Sequence, residues 1–124
     1  MSKRILIVDD EADINIVLRE ILESNGFTVD SFDNPRYALE NFIPHFYDLL
    51  ILDIKMPEMN GFSFYREIKK LDEKIKVCIL TAAKINYREY SDILSSLPDN
   101  CIILKPVTNE DLLRIINKVI HCDL

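Results

Sequence analysis

Ile5-Leu6-Ile7-Val8-Asp9-Asp10 is an unbroken apolar run closed by two acids, and Leu49-Leu50-Ile51-Leu52-Asp53 repeats the pattern with one acid. Four aliphatic residues in a row, with no polar alternation, suit strands buried on both faces, as in a parallel sheet covered by helices. If these runs are neighbouring strands, three carboxylates meet at one sheet edge. Like charges crowded there repel one another and lose hydration, so each ionised group raises the pKa of the others. A divalent cation relieves that penalty, and Mg2+ prefers a sparse all-oxygen site that leaves several of its waters in place. The pattern points to a metal-assisted phosphate site.

Outward from these runs, strand and helix signals alternate with no linker, repeat or low-complexity segment. A first strand over about 3–8 is followed by Ile14, Val17, Leu18, Ile21 and Leu22 at helical spacing, with Gly26 placed as a helix-ending glycine. Residues 27–32 alternate with period two, a strand exposed on one face. Asn34-Pro35 reads as an N-cap with proline at the first helical position, opening a second helix to about Phe42. The strand over 48–52 is followed by a loop punctuated by Pro57 and Gly61, then by a third helix through Phe62, Tyr65 and Ile68. Val77–Leu80 is a fourth strand, 86–97 a weaker helix ended by Pro98, and Cys101–Leu104 a fifth strand. Thr108 and Asp111 resemble a capping box and open a last helix to about Ile120.

Five strands, each followed by a helix, predict an α/β domain over residues 1–124. The expected architecture is a doubly wound five-stranded parallel sheet of order 2-1-3-4-5, with helices on both faces. That order sets strands one and three side by side, with ligands binding beyond their carboxyl ends. Asp9, Asp10, Asp53, Thr81 and Lys105 all fall at that edge. Singly, each has a plainer explanation: the acids could cap a helix, and the threonine and lysine could be ordinary loop residues. Their conjunction is what points to a site.

Composition removes other classes. The net charge of −6 and the scattered lysines lack the basic stripe that nucleic-acid binding needs. No apolar run reaches membrane-spanning length and no leader opens the chain, so a cytoplasmic protein is expected. The three cysteines match no zinc pattern, and their odd number fits a reducing compartment. Cys78 and Cys101 read as core residues and Cys122 as exposed. His45 and His121 read as plain surface, and Met56 and Met59 as loop packing.

Four elements in order carry a family resemblance across the whole chain: Val8-Asp9-Asp10, the segment from Leu52-Asp53-Ile54-Lys55-Met56-Pro57 to Asn60-Gly61, Thr81-Ala82, and Lys105-Pro106. The chain resembles a response-regulator receiver domain, the phosphorylated half of a two-component system. Flavodoxin and the chemotaxis receivers share the strand order given above, so the flavodoxin-like topology is implied by the resemblance as well as by the pattern. The resemblance implies that Asp53 accepts a phosphoryl group from a phosphohistidine on a sensor histidine kinase or a phosphotransfer protein. It implies Mg2+ held by Asp10, Asp53 and the backbone carbonyl of Lys55, with Asp9 acting through water. It implies that Thr81 and Lys105 bind phosphoryl oxygens and that Lys105-Pro106 is cis. It further implies a phosphoprotein that assists its own phosphorylation and dephosphorylation but turns over no external substrate. Output would pass to a downstream protein through the face formed by the 86–97 helix, the fifth strand and the last helix, with homodimer formation left open.

Three positions depart from the common pattern. Ile102 stands where many receivers place Tyr or Phe, so weaker coupling to the output face is expected. Lys55 and Ala83 occupy positions that tune acyl-phosphate hydrolysis in the family, and slower autodephosphorylation is expected. The apolar stripe of the last helix (Leu112, Leu113, Ile115, Ile116, Val119 and Ile120) is wider than a simple surface helix needs and suggests a contact patch. Competing readings have specific obstacles. An aspartyl-phosphate phosphohydrolase would want an acid where Lys55 stands, and a flavodoxin-like cofactor binder would want a Ser/Thr/Gly loop in place of Asp9-Asp10-Glu11. The alternative kept beside the favoured one is a phosphorylation-independent interaction module on the receiver fold.

Overall fold

The computed structural model describes residues 3–82 and 102–121. Its elements are β1 (Arg4–Val8), α1 (Ala12–Ser24), β2 (Thr28–Phe32), α2 (Pro35–Glu40), β3 (Leu49–Leu52), α3 (Gly61–Leu71), β4 (Lys76–Thr81), β5 (Ile102–Leu104) and α4 (Asn109–Ile120). The helix expected over 86–97, together with Ala83, Cys101 and Cys122, lies outside the described residues.

All neighbouring strands pair in parallel, in the order β2-β1-β3-β4-β5. The expected doubly wound sheet is the one observed. The chain leaves β1 for β2 on one side and comes back to β3 on the other, so the carboxyl ends of β1 and β3 flank the topological switch point.

Period-two alternation along each strand sends side chains to two separate core layers. Leu6, Val8, Leu50, Leu52, Val77 and Ile79 pack with Phe62, Phe64 and Ile68 of α3 and Ala38 of α2. Ile5, Ile7, Leu49, Ile51, Cys78 and Leu80 pack with Leu18 and Leu22 of α1 and with α4. Every residue from Ile5 to Val8 and from Leu49 to Leu52 is at most 2% exposed. At about 1.5–3 kcal/mol per buried aliphatic side chain, this central pair is firmly anchored in the sheet. The acids at its ends are therefore carried on strands buried on both faces.

Helix boundaries follow local chemistry. Gly26, with φ +91°, follows α1 as its C′ residue. The Gly26 N–H donates to the Glu23 carbonyl (3.2 Å) and the Phe27 N–H to the Leu22 carbonyl (3.1 Å), which completes a Schellman motif. Asn34, Asn60 and Thr108 accept from the backbone N–H groups of Tyr37 (3.1 Å), Ser63 (3.0 Å) and Asp111 (3.1 Å), capping α2, α3 and α4.

Two expectations about helix faces change. On α1, Val17 is 53% exposed, whereas Asn15 is buried on the same stripe as Leu18 and Leu22. On α4, Leu112, Ile116, Val119 and Ile120 are buried, and Leu113 and Ile115 pack partly against the same layer. Most of the wide stripe read as a contact patch is taken up by the chain's own core, with Leu113 and Ile115 left partly exposed, because α4 covers the sheet and also flanks α1 across a groove lined by Ile14, Leu18, Ile21 and Leu112.

Candidate functional site

The parallel ladder continues one step past each strand and fixes the residues that end it. The Asp9 N–H donates to the Phe32 carbonyl (3.2 Å), the Asp53 N–H to the Val8 carbonyl (3.0 Å), and the Lys105 N–H to the Thr81 carbonyl (3.0 Å). Asp9, Asp53 and Thr81 are buried, Asp10 is half-buried, and the Lys105 side chain is 17% exposed. Asp10, Glu11, Asp53, Lys55, Thr81, Ala82 and Lys105 line one cavity of about 260 Å3. Every side chain proposed from the sequence for this edge is brought to it.

One oxygen from each of Asp9, Asp10 and Asp53 lies within 4.8 Å of the others. Asp9 is already engaged: its Oδ1 accepts from the Glu11 N–H (3.0 Å) and its Oδ2 from Lys105 Nζ (3.0 Å). It thus performs part of the helix-entry role considered for the acidic pair, while also holding the lysine. The Thr81 hydroxyl donates to the Asp53 carboxylate. The Lys105–Pro106 peptide is cis.

The electrostatics follow from this packing. Burial, then the Asp9 and Asp10 charges, push the Asp53 carboxyl up to about 6, against the opposing pull of the Lys105 ammonium and the Thr81 hydroxyl. Burial is the largest single influence on Lys105 and disfavours its charge. The hydrogen bond and charge of Asp9, with Asp53 and Glu11 behind them, outweigh it and leave the ammonium more firmly protonated than usual. Three carboxylates facing one ammonium leave an excess of negative charge among hard oxygen donors. That donor set fits Mg2+, which favours one or two carboxylates plus water and phosphate oxygens.

Lys55 has an exposed side chain at the cavity mouth, set between the buried Ile54 and Met56. Met56 and Met59 pack against the α3-side core, as expected. Ile102 is partly buried against the same layer.

Two residues escaped the sequence reading. Asn15 donates through Nδ2 to the carbonyls of Asp9 (2.9 Å) and Phe32 (3.3 Å). The available signal was a polar residue on the stripe of Leu18 and Leu22. At the opposite sheet edge, buried Asp72 accepts from the backbone N–H groups of His45 (2.9 Å) and Lys74 (3.2 Å). His45 therefore has an exposed imidazole, as expected of a surface residue, on a tethered backbone with φ +62°.

Fold and site together define an open α/β domain with an acidic, cation-ready pocket at its switch point. The family model for the response regulator receiver domain matches residues 5–117. The chemotaxis protein CheY of Bacillus subtilis is 34% identical over 122 residues, covering 98% of this chain and 100% of the relative. The response regulator receiver domain protein (CheY-like) of Methanospirillum hungatei has a TM-score of 0.82 and 30% identity, over 97% of this chain and 94% of that one. Response regulator protein TrrA of Thermotoga maritima, solved in complex with Mg(2+)-BeF, is 38% identical with a TM-score of 0.78, over 94% of this chain and 98% of that one. The chain belongs to the response regulator receiver domain family. Receiver domains are signalling domains of two-component systems, not turnover enzymes, and interact with histidine kinases or phosphotransfer proteins and with downstream targets. No helix among the described residues is long and apolar enough to cross a membrane.

Proposed function

We propose that residues 1–124 form one receiver domain, a phosphoacceptor that takes a phosphoryl group onto Asp53 from the phosphohistidine of a sensor kinase or phosphotransfer protein. The observation that carries this reading is the convergence of Asp10, Asp53, Thr81 and Lys105 on one cavity, with Asp53 at its floor. Asp53 Oδ attacks phosphorus, the P–N bond breaks, and the donor imidazole leaves with the bond's electron pair. At neutral pH a carboxyl with a pKa near 6 is largely ionised, so the nucleophile is available. Thr81 and Lys105 receive charge as it spreads over the phosphoryl oxygens in a loose transition state. For this, Lys105 turns from Asp9 toward the new anion. Asp10, Asp53 and the Lys55 carbonyl would hold Mg2+, with Asp9 acting through water. The cation supplies neutralisation of the nucleophile and the incoming oxygens. The phosphorylated state then changes contacts with a downstream protein on the face that includes β5 and α4.

Incubation with acetyl phosphate and Mg2+, followed by intact mass, tests the reading. The expected result is a gain of one phosphoryl group, abolished by Asp53→Asn and by chelation of the metal. An unchanged mass in the wild-type chain would refute it and favour phosphorylation-independent interaction on the same fold.

A further inference from the structure

We propose that Asn15 is a positioning residue for Asp10, an inference that rests on the phosphoacceptor reading and extends it to the groups that aim the acids. Asn15 is 5% exposed, in the first turn of α1, and its Nδ2 reaches both Asp9 O (2.9 Å) and Phe32 O (3.3 Å). The Phe32 carbonyl also accepts from the Asp9 N–H (3.2 Å). One side-chain amide thus ties the exits of β1 and β2 to the helix that follows.

The Asp9 carbonyl belongs to the peptide unit that joins Asp9 to Asp10. Because that unit is planar, a hydrogen bond to its oxygen fixes the plane from which the Asp10 side chain departs. The Asp9 carboxylate has its own supports in Glu11 N–H and Lys105 Nζ. Among the described residues, no hydrogen bond or ion pair is made to the Asp10 carboxylate. Its aim depends on its backbone: Asn15 holds the peptide before it, and the Asp9 carboxylate holds the peptide after it through the Glu11 N–H. Asn15 Oδ1 is buried and has no hydrogen-bond partner among the described residues. An unsatisfied buried oxygen is costly, so an apolar residue of equal size would be the better choice for packing alone. What an apolar residue cannot supply is the pair of donated bonds.

The test is a Mg2+ titration of the full chain followed by backbone amide NMR. It compares wild type with Asn15→Leu, which keeps the branching and number of side-chain heavy atoms, Asn15→Ala, which avoids overpacking, and Leu22→Val, a core truncation farther along α1. Loss of supporting hydrogen bonds behind metal-binding groups weakens affinity by about tenfold or more, and that is expected for both Asn15 variants. Leu22→Val is expected to keep wild-type affinity. A folded Asn15 variant that binds Mg2+ like wild type overturns the proposal, as does an equal loss in Leu22→Val, which would mark a general effect of destabilising α1. Wild type without Mg2+-dependent shifts at residues 9–11 and 53 would overturn the phosphoacceptor reading itself. Normal wild-type binding with unaffected variants would remove only the role of Asn15.

Discussion

Asp53 is held at a pKa near 6 by burial and by its acidic neighbours, against 3.8 for an unperturbed aspartate. The native state therefore binds a proton more tightly than the unfolded chain between these values, and metal-free stability falls as pH rises through that window. Above it, the ionised Asp53 costs the fold on the order of 1–3 kcal/mol. Asp53→Asn removes that cost, so the metal-free variant is expected to be more stable than wild type by that amount at neutral pH, with little difference near pH 4. Urea unfolding at the two pH values checks it, and equal stabilisation at both would contradict the linkage. Lys55 belongs to the same scale. Its exposed ammonium at the cavity mouth can pair with a phosphoryl oxygen or obstruct an attacking water. Lys55→Ala is expected to shorten the lifetime of the phosphorylated state several-fold, read by the decay of the phosphorylated mass after donor removal. An unchanged lifetime would return Lys55 to the role of a solvated loop residue.

The loop between β3 and α3 turns this chemistry into an architectural demand. The Gly61 N–H donates to the Ile54 carbonyl (2.6 Å), and a Cβ on Gly61 would meet the Asp53 carbonyl oxygen and approach Ile54 Cα to 2.7 Å. These are backbone atoms that cannot step aside as a flexible side chain can. Gly61→Ala is expected to destabilise the fold by about 1–3 kcal/mol and to weaken Mg2+ binding, because the displaced backbone is that of Asp53. Gly26 offers the contrast. With φ +91° and open space where a Cβ would stand, its requirement is conformational only. Gly26→Ala is expected to cost about 1 kcal/mol and to leave phosphorylation by acetyl phosphate unchanged. Thermal unfolding and intact mass separate the two glycines, and a phosphorylation defect in the Gly26 variant would show that the end of α1 is coupled to the site.

Across the whole molecule, the proposed phosphoryl charge at one sheet edge would have to reach a partner through the elements that adjoin it. β4 and β5 pair Ile79 with Ile102, Leu80 with Ile103 and Thr81 with Leu104. Thr81 is thus paired directly with Leu104 on the neighbouring strand, a residue that is 64% exposed. Ile102 lacks the hydroxyl and the bulk of an aromatic side chain and already packs against the core, so an aromatic rotamer switch is not available there. With Mg2+ and beryllofluoride, amide shift changes are expected to concentrate at residues 9–11, 53–55, 81–82 and 105 and to stay small through 109–120. Large changes throughout 102–120 would show that coupling to this face does not need an aromatic switch.

The strands, their parallel order, the helix caps at Asn34 and Thr108, and the edge that collects Asp9, Asp10, Asp53, Thr81 and Lys105 were legible in the chain itself, whereas the cap at Asn60 was not. Aliphatic runs, period, capping residues and glycines act over a few neighbouring positions, and their physics is complete within that span. Only the folded chain decided that Lys105 rests on Asp9, 96 residues away, that Asn15 and Asp72 are buried partners of backbone groups, and that most of the broad stripe of α4 serves the core. Those outcomes depend on which surfaces meet after the sheet has assembled. A lysine, an asparagine and an extra leucine look the same in sequence whether water or another element covers them, and desolvation by that cover sets both the partner each must find and the pKa that results.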